Sequence, residues 1–306
     1  MDRREFIKRS ALAALAAAPA ASLGSISNLF AEPVLSKNSY DLVAVKGGEP
    51  DSMFDKAIES LGGMKNYVKK GQTVVVKPNI GWDTSPERAA NTNPKLVARI
   101  IQHCFNAGAK EVYVFDHTCD NWTKCYSNSG IEKAVKDAGG KIVSGASEGY
   151  YQKVDIKHGI NLTDAKVHEL ILSSDVFINV PVLKSHGGGR ITVGMKNLMG
   201  IVWDRGYWHR NDLHQCIADF ASFKRPELTI VDAYNVMMRN GPRGVSVNDL
   251  SPMKSLLISQ DIVAVDAAAA KIFGLEPDDV PYIRIADKMK IGTKDLTRLN
   301  INRIKM

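Results

Sequence analysis

The sequence has no Cys-x-x-Cys pair and only four cysteines in 306 residues, which excludes a disulfide-built scaffold. No strongly apolar run reaches the roughly 20 residues of a membrane-spanning helix, so no permanent span is expected. Nothing repeats with a period of about 20 to 50 residues, which excludes solenoids and propellers. The P-loop and Rossmann glycine fingerprints, the nucleophile elbow and the zinc-protease motif are all missing. No Lys/Arg-rich run carries interleaved aromatics, so the formal charge of +7 does not point to nucleic acid. What remains, 44% hydrophobic and 24% charged, is ordinary globular composition, and the mild basic excess suits an anionic small molecule.

Part of the basic excess sits at the start of the chain. Arg3, Arg4, Lys8 and Arg9 against Asp2 and Glu5 give the first nine residues +2 of the total. From Ser10 to Ala31 there is no charge, and Ala11 to Ala21 is weakly apolar and broken by Pro19. Basic region, apolar region and small-residue exit follow in the order of an export signal. The run Arg3-Arg4-Glu5-Phe6-Ile7-Lys8 resembles the twin-arginine signal, with Asp2 where that signal usually has Ser or Thr. This predicts a signal over residues 1–31, cleaved after Ala20 or Ala31, the twin-arginine machinery as a partner, and a periplasmic or otherwise exported location; the alternative is an amphipathic basic N-terminus of a cytosolic protein.

Residues 38–306 read as one α/β domain, with a mainly parallel sheet and helices on both faces. Apolar runs of strand length lie at Asp41–Lys46, Thr73–Lys77, Glu111–Phe115, Lys141–Ser144, Asp175–Val180, Leu228–Val231 and Ser255–Ile258. Helical segments lie between them: one capped by Asp51 and closed by Gly62-Gly63, one from Pro94 to Ala107, one from Ser129 to Ala138, and an Ala-rich one from Asp261 to Phe273.

In such a sheet ligands sit beyond the carboxyl ends of the strands. Four apolar runs end there in polar residues: Lys77 and Asn79, Asp116, Lys184 with His186, and Asp232. After Lys184 come Gly187, Gly188, Gly189 and Arg190, then a helix start near Thr192 carrying Lys196 and Asn197. Consecutive glycines before a helix N-terminus can close backbone N–H groups around an anion. Lys77, Asn79, Arg190, Lys196 and Asn197 are thus the expected cofactor- or anion-binding set. A flexible surface loop is the alternative for the glycines.

The stretch Asp175-Val-Phe-Ile-Asn-Val-Pro-Val-Leu-Lys184-Ser-His186, followed by Ile191-Thr-Val-Gly-Met-Lys196-Asn-Leu-Met-Gly200, resembles the signature of the domain-of-unknown-function family 362. The likeness continues through His209, Leu213 to Asp219, Ile230 to Asp232, Asn240 to Gly244 and Ser259 to Asp266. Ser185 stands where the family commonly has threonine. Some members carry an added ferredoxin-like segment with closely spaced cysteines, and this chain has none.

Cys104 reads as a core residue. Cys119 and Cys125 either close a disulfide, remain free thiols, or join Cys216 in holding a metal or iron–sulfur cluster. His103, His158 and His168 read as surface or capping residues. His117, His186, His209 and His214 lie in segments that can converge, either to bind a transition metal with Asp116 or Asp232, to transfer protons, or to hold loops. The expected function is a cofactor- or metal-dependent enzyme acting on an anionic small molecule, with redox chemistry favoured over hydrolysis by the export route and the family's iron–sulfur members, and with Lys184, His186, His209, His214, Asp116 and Asp232 as candidate catalytic groups. The alternatives are a non-catalytic binding protein and a maturation partner of another exported enzyme.

Overall fold

The computed structural model describes residues 40–306. The expected export signal lies outside them.

Thr73–Pro78 (β2) is Thr-Val-Val-Val-Lys-Pro, apolar without alternation, and five of its six residues are buried. A strand buried on both faces reads this way, and β2 lies between two parallel neighbours. In chain order the strands are Leu42–Lys46 (β1), β2, Glu111–Val114 (β3), Lys141–Ile142 (β4), Tyr151–Asp155 (β5), Asp164–His168 (β6), Val176–Val180 (β7), Val182–His186 (β8), Arg190–Thr192 (β9), Leu228–Met237 (β10), Leu250–Ser259 (β11) and Ile301–Lys305 (β12). The helices are Pro50–Ser60 (α1), Pro94–Ala107 (α2), Trp122–Asn128 (α3), Ile131–Asp137 (α4), Glu169–Ser173 (α5), Gly194–Asn197 (α6), Arg205–Arg210 (α7), Leu213–Phe223 (α8), Ile262–Phe273 (α9) and Pro281–Lys288 (α10).

The main sheet has the order β12-β1-β11-β10-β7-β2-β3-β4. Within that path β11 alone runs against its neighbours, antiparallel to both β1 and β10. The sheet is therefore mostly parallel, in a single α/β domain. Off the path, β8 pairs parallel with β10 and antiparallel with β9, and β5 and β6 form a separate hairpin. From β2 the chain steps outward to β3 and β4, then returns to lay β7 on the other side of β2. That reversal opens a crevice at the carboxyl ends of β2 and β7.

Helix boundaries follow local chemistry. Asn93 caps α2 by accepting the Lys95 N–H, Pro94 opens it, and Gly108 ends it at φ 102°. Asp261 caps α9 through the N–H groups of Val263 and Ala264, and the alanines of that helix let it lie close to the sheet. Asp51 sits inside the first turn of α1, behind Pro50, instead of capping it. The helix expected over 129–138 is α4 alone, preceded by Gly130 at φ 73° and by the separate α3. One face of the sheet is covered by α1, α2 and α4, and the other by α6, α8, α9 and α10.

Candidate functional site

Lys77, at the end of β2, is fully buried, and its Nζ lies 2.9 Å from Asp116 Oδ1 just beyond β3. The same ammonium donates to Asn197 Oδ1 at 2.8 Å. Asp116 Oδ2 accepts the Ile80 N–H at 2.7 Å, so both carboxylate oxygens are engaged. A buried pair holds together only when such additional hydrogen bonds offset its desolvation. Asn197 Nδ2 donates to Asn179 Oδ1 at 2.8 Å, and Asn179 Nδ2 to Gly194 O at 3.0 Å, tying α6 to the end of β7. Asp266 on α9 fixes the start of α6 by accepting the Gly194 and Met195 N–H groups at 2.8 and 2.9 Å.

Above this network lies a cleft of about 400 Å³. Lys77, Lys184, Lys196 and Arg205 line it, and Asp116, already paired with Lys77, is the one carboxylate among the described residues that line it. The Arg205 guanidinium is held at the rim by the carbonyls of His117 and Thr118, at 2.7 and 2.8 Å, with Cys119 Sγ 3.7 Å away. Lys184 donates to Asn79 Oδ1 at 2.9 Å and to Ala90 O. Lys196 is 8% exposed, and among the described residues its ammonium meets only the Met199 sulfur, at 3.5 Å. Burial pulls Lys184 down to about 7 and Lys196 down to about 8, against partial opposition from Cys119. Lys77 is also lowered by burial, with Asp116 opposing.

His186 and His209 line the same cleft, their rings 6.3 Å apart and nearly parallel. Burial and then the Lys196 charge push His186 down to about 3, so its ring is neutral. The Gly189 N–H donates to His186 Nδ1 at 3.0 Å, which places the proton of that neutral ring on Nε2. His209 is lowered by the same two causes.

The structure thus gathers Lys77, Asn79, Asp116, Cys119, Lys184, His186, Lys196, Asn197 and His209 in one place. Other candidates lie elsewhere. Lys184 and His186 sit on strand β8 and not in a loop, so Gly187, Gly188 and Gly189 turn a hairpin into β9 instead of cradling an anion at a helix start. Arg190, exposed at φ 66° opposite His186, lines a separate depression with Arg239 and Asn240. Asp232 lies within β10 and accepts the Asn93 and Tyr234 N–H groups at 2.8 and 3.1 Å. Burial raises it to about 6. His214 stacks near Tyr282, centroids 6.0 Å apart, and does not line the cleft.

The cysteine expectations also change. All four are free thiols, so Cys119 and Cys125 form no disulfide. Cys125 is buried with Sγ toward Gly81 O, whereas Cys216 is buried on α8 with Sγ 3.1 Å from Asn211 O. Their neighbours belong to opposite faces of the sheet, which keeps them from one cluster. Among the described residues no three His, Cys, Asp or Glu side chains gather to hold a metal ion. These residues do not fit an iron–sulfur cluster or a transition metal. His168, expected at the surface, is fully buried against Phe115, although it does cap α5.

Sequence reasoning passed over Arg205 and Asn179. Arg205 lay within an aromatic, basic run, Trp203 to Asn211, whose helical fold was not foreseen. Asn179 was visible as one amide inside an otherwise apolar strand, the usual sign of a buried group with a partner.

The family described as "Domain of unknown function (DUF362)" matches residues 74–271. A thylakoid-associated protein of Synechocystis sp. is 28% identical over 243 residues, covering 77% of this chain and 73% of its own. Among solved structures, the lactate racemase apoprotein of Thermoanaerobacterium thermosaccharolyticum aligns with TM-score 0.45 and 12% identity, over 70% of this chain and 53% of that one. A protein of Thermotoga maritima aligns with TM-score 0.48 and 10% identity, over 74% of this chain and 60% of that one. Among the described residues no helix is long and apolar enough to cross a membrane.

Proposed function

The chain belongs to the domain-of-unknown-function family 362, and from that premise we propose that it binds and acts on an anionic small molecule in the cleft at the β2/β7 crevice. The observation that carries this reading is Lys196: a buried cation that among the described residues meets no anion, beside Lys184 and Arg205, in a cleft where the one carboxylate among those residues is taken. Water is a poor substitute for an anion there, since a charge-assisted hydrogen bond contributes about 1.5–3 kcal/mol. The neutral imidazoles of His186 and His209 would exchange protons with the bound molecule.

Calorimetric titration with inorganic phosphate, sulfate and oxalate tests the reading. At least one probe is expected to bind, and Lys196→Met to weaken it about 10- to 100-fold. For sulfate and oxalate, whose charge does not change over this range, affinity should fall as pH rises from 6 to 9, because Lys184 near 7 and Lys196 near 8 lose the charge the anion needs. Binding by none of the three, or affinity indifferent to Lys196→Met, would overturn it.

We also propose that the protein acts outside the cytoplasm after twin-arginine export. The basic, apolar and small-residue order of residues 1–31 supports this, as does the thylakoid-associated description of the Synechocystis relative. Replacing Arg3 and Arg4 together by lysine should leave the uncleaved chain in the cytoplasm in cell fractionation. Unchanged export of that variant would remove the twin-arginine route.

A further inference from the structure

Resting on the anion-binding reading, we propose that Lys184 is a covalent catalytic residue, its Nζ condensing with the carbonyl carbon of an anionic aldehyde or ketone that Lys196 and Arg205 hold in the cleft. Lys184 is 1% exposed and lines the cleft, and among the described residues no carboxylate lies within ion-pair distance of it. Its two acceptors, Asn79 Oδ1 and Ala90 O, are neutral and match the two N–H groups of an uncharged amine. Asn79 cannot easily turn away, because its Nδ2 donates to Asn197 Oδ1 at 3.2 Å. With both N–H groups engaged, the lone pair of the amine remains for an electrophile.

The charged and titratable groups facing it agree with an uncharged amine. Burial disfavours another proton most strongly, Lys196 and Lys77 act with it, and together they outweigh Cys119 and Asp116, which favour the proton, to set the value at about 7. A desolvated lysine beside other cations is the usual arrangement for an imine-forming amine. The step balances without an added oxidant or reductant. The Nζ lone pair forms the C–N bond, the carbonyl π electrons move to oxygen, and that oxygen leaves with the two amine hydrogens as one water, giving C=N. The positive cleft restricts this chemistry to carbonyl compounds that carry a carboxylate or phosphate, and the imine withdraws electrons from the carbon beside it.

The test uses the full chain with glyoxylate and cyanoborohydride at pH 7, read by intact mass and peptide mapping. Cyanoborohydride reduces the imine to a stable carboxymethyl amine. Exposed lysines such as Lys133 and Lys153, with side chains 82% and 65% exposed, serve as the comparison. The uncharged fraction of Lys184 exceeds that of an ordinary lysine by on the order of 1000-fold, so labelling should concentrate on Lys184 at least about 100-fold faster. Excess inorganic phosphate should protect it, and Lys196→Met should slow it about tenfold. Labelling no faster than at Lys133, or labelling of Lys77 or Lys196 in its place, overturns the proposal on wild-type protein alone. If phosphate binds in a Lys196-dependent way and Lys184 stays unlabelled, the imine fails and the anion site stands. If neither phosphate nor glyoxylate binds, both fail.

Discussion

Replacing Gly200 with alanine is expected to destabilise the protein by about 3–5 kcal/mol and to abolish anion binding. A methyl group there would fall on Asp116 Oδ1 and come within 2.6 Å of Lys77 Cε and Nζ. Flexible side-chain ends usually move aside, but these two are buried and held from several directions. Moving Asp116 releases the Ile80 N–H, and moving Lys77 releases Asn197, which also orients Asn79. The full effect of splitting a buried ion pair should therefore appear. Urea unfolding measures it, and a loss below about 1 kcal/mol would mean that the pair repacks around the methyl.

The second large effect concerns pH. Lys184 and Lys196 bind protons weakly in the folded protein, at about 7 and about 8, against 10.5 for a free lysine. Between these values the unfolded chain holds more protons than the folded one, so their contribution to stability rises with pH. From pH 7 to 9 Lys184 alone should add about 2 kcal/mol, and Lys196 roughly 1 more. Urea unfolding of the wild type and of the Lys184→Met, Lys196→Met double variant at pH 7, 8 and 9 isolates this contribution. The wild type should gain stability relative to the variant as pH rises, and parallel curves would show that the lysines stay charged when folded.

The strands at the centre of the sheet were legible because β2 and β7 are buried on both faces and so read as unbroken apolar runs. Lys77 and Asp116 stood out for the same reason, since each breaks such a run at its end. Asp232 looked equivalent and is not. The apolar run stops at Val231, but β10 continues to Met237, so the carboxylate lies in mid-strand and serves backbone N–H groups. The same extension, with β11 starting at Leu250, joins the two strands as an antiparallel hairpin in a sheet expected to be mainly parallel. Strand β8 was hidden by Pro181, which punctuates the sequence without ending the extended chain, and the three glycines then imitated an anion-binding loop. Cys119, Cys125 and Cys216 could not be sorted without knowing which face of the sheet each side chain packs on.

The reversal of strand order at β2 draws the cleft from positions as distant as Lys77 and His209. Lys77 is therefore far along the unfolded chain from Lys184, Lys196 and Arg205, and folding itself brings it beside them. The native state carries a repulsion that the denatured state escapes, and any counterion that fits the cleft acts as a folding aid as well as a ligand. At a hundred times its dissociation constant such an anion adds about 2.7 kcal/mol. The physiological ligand can accordingly be sought without knowing the reaction, as the compound that raises the melting temperature most at the lowest concentration.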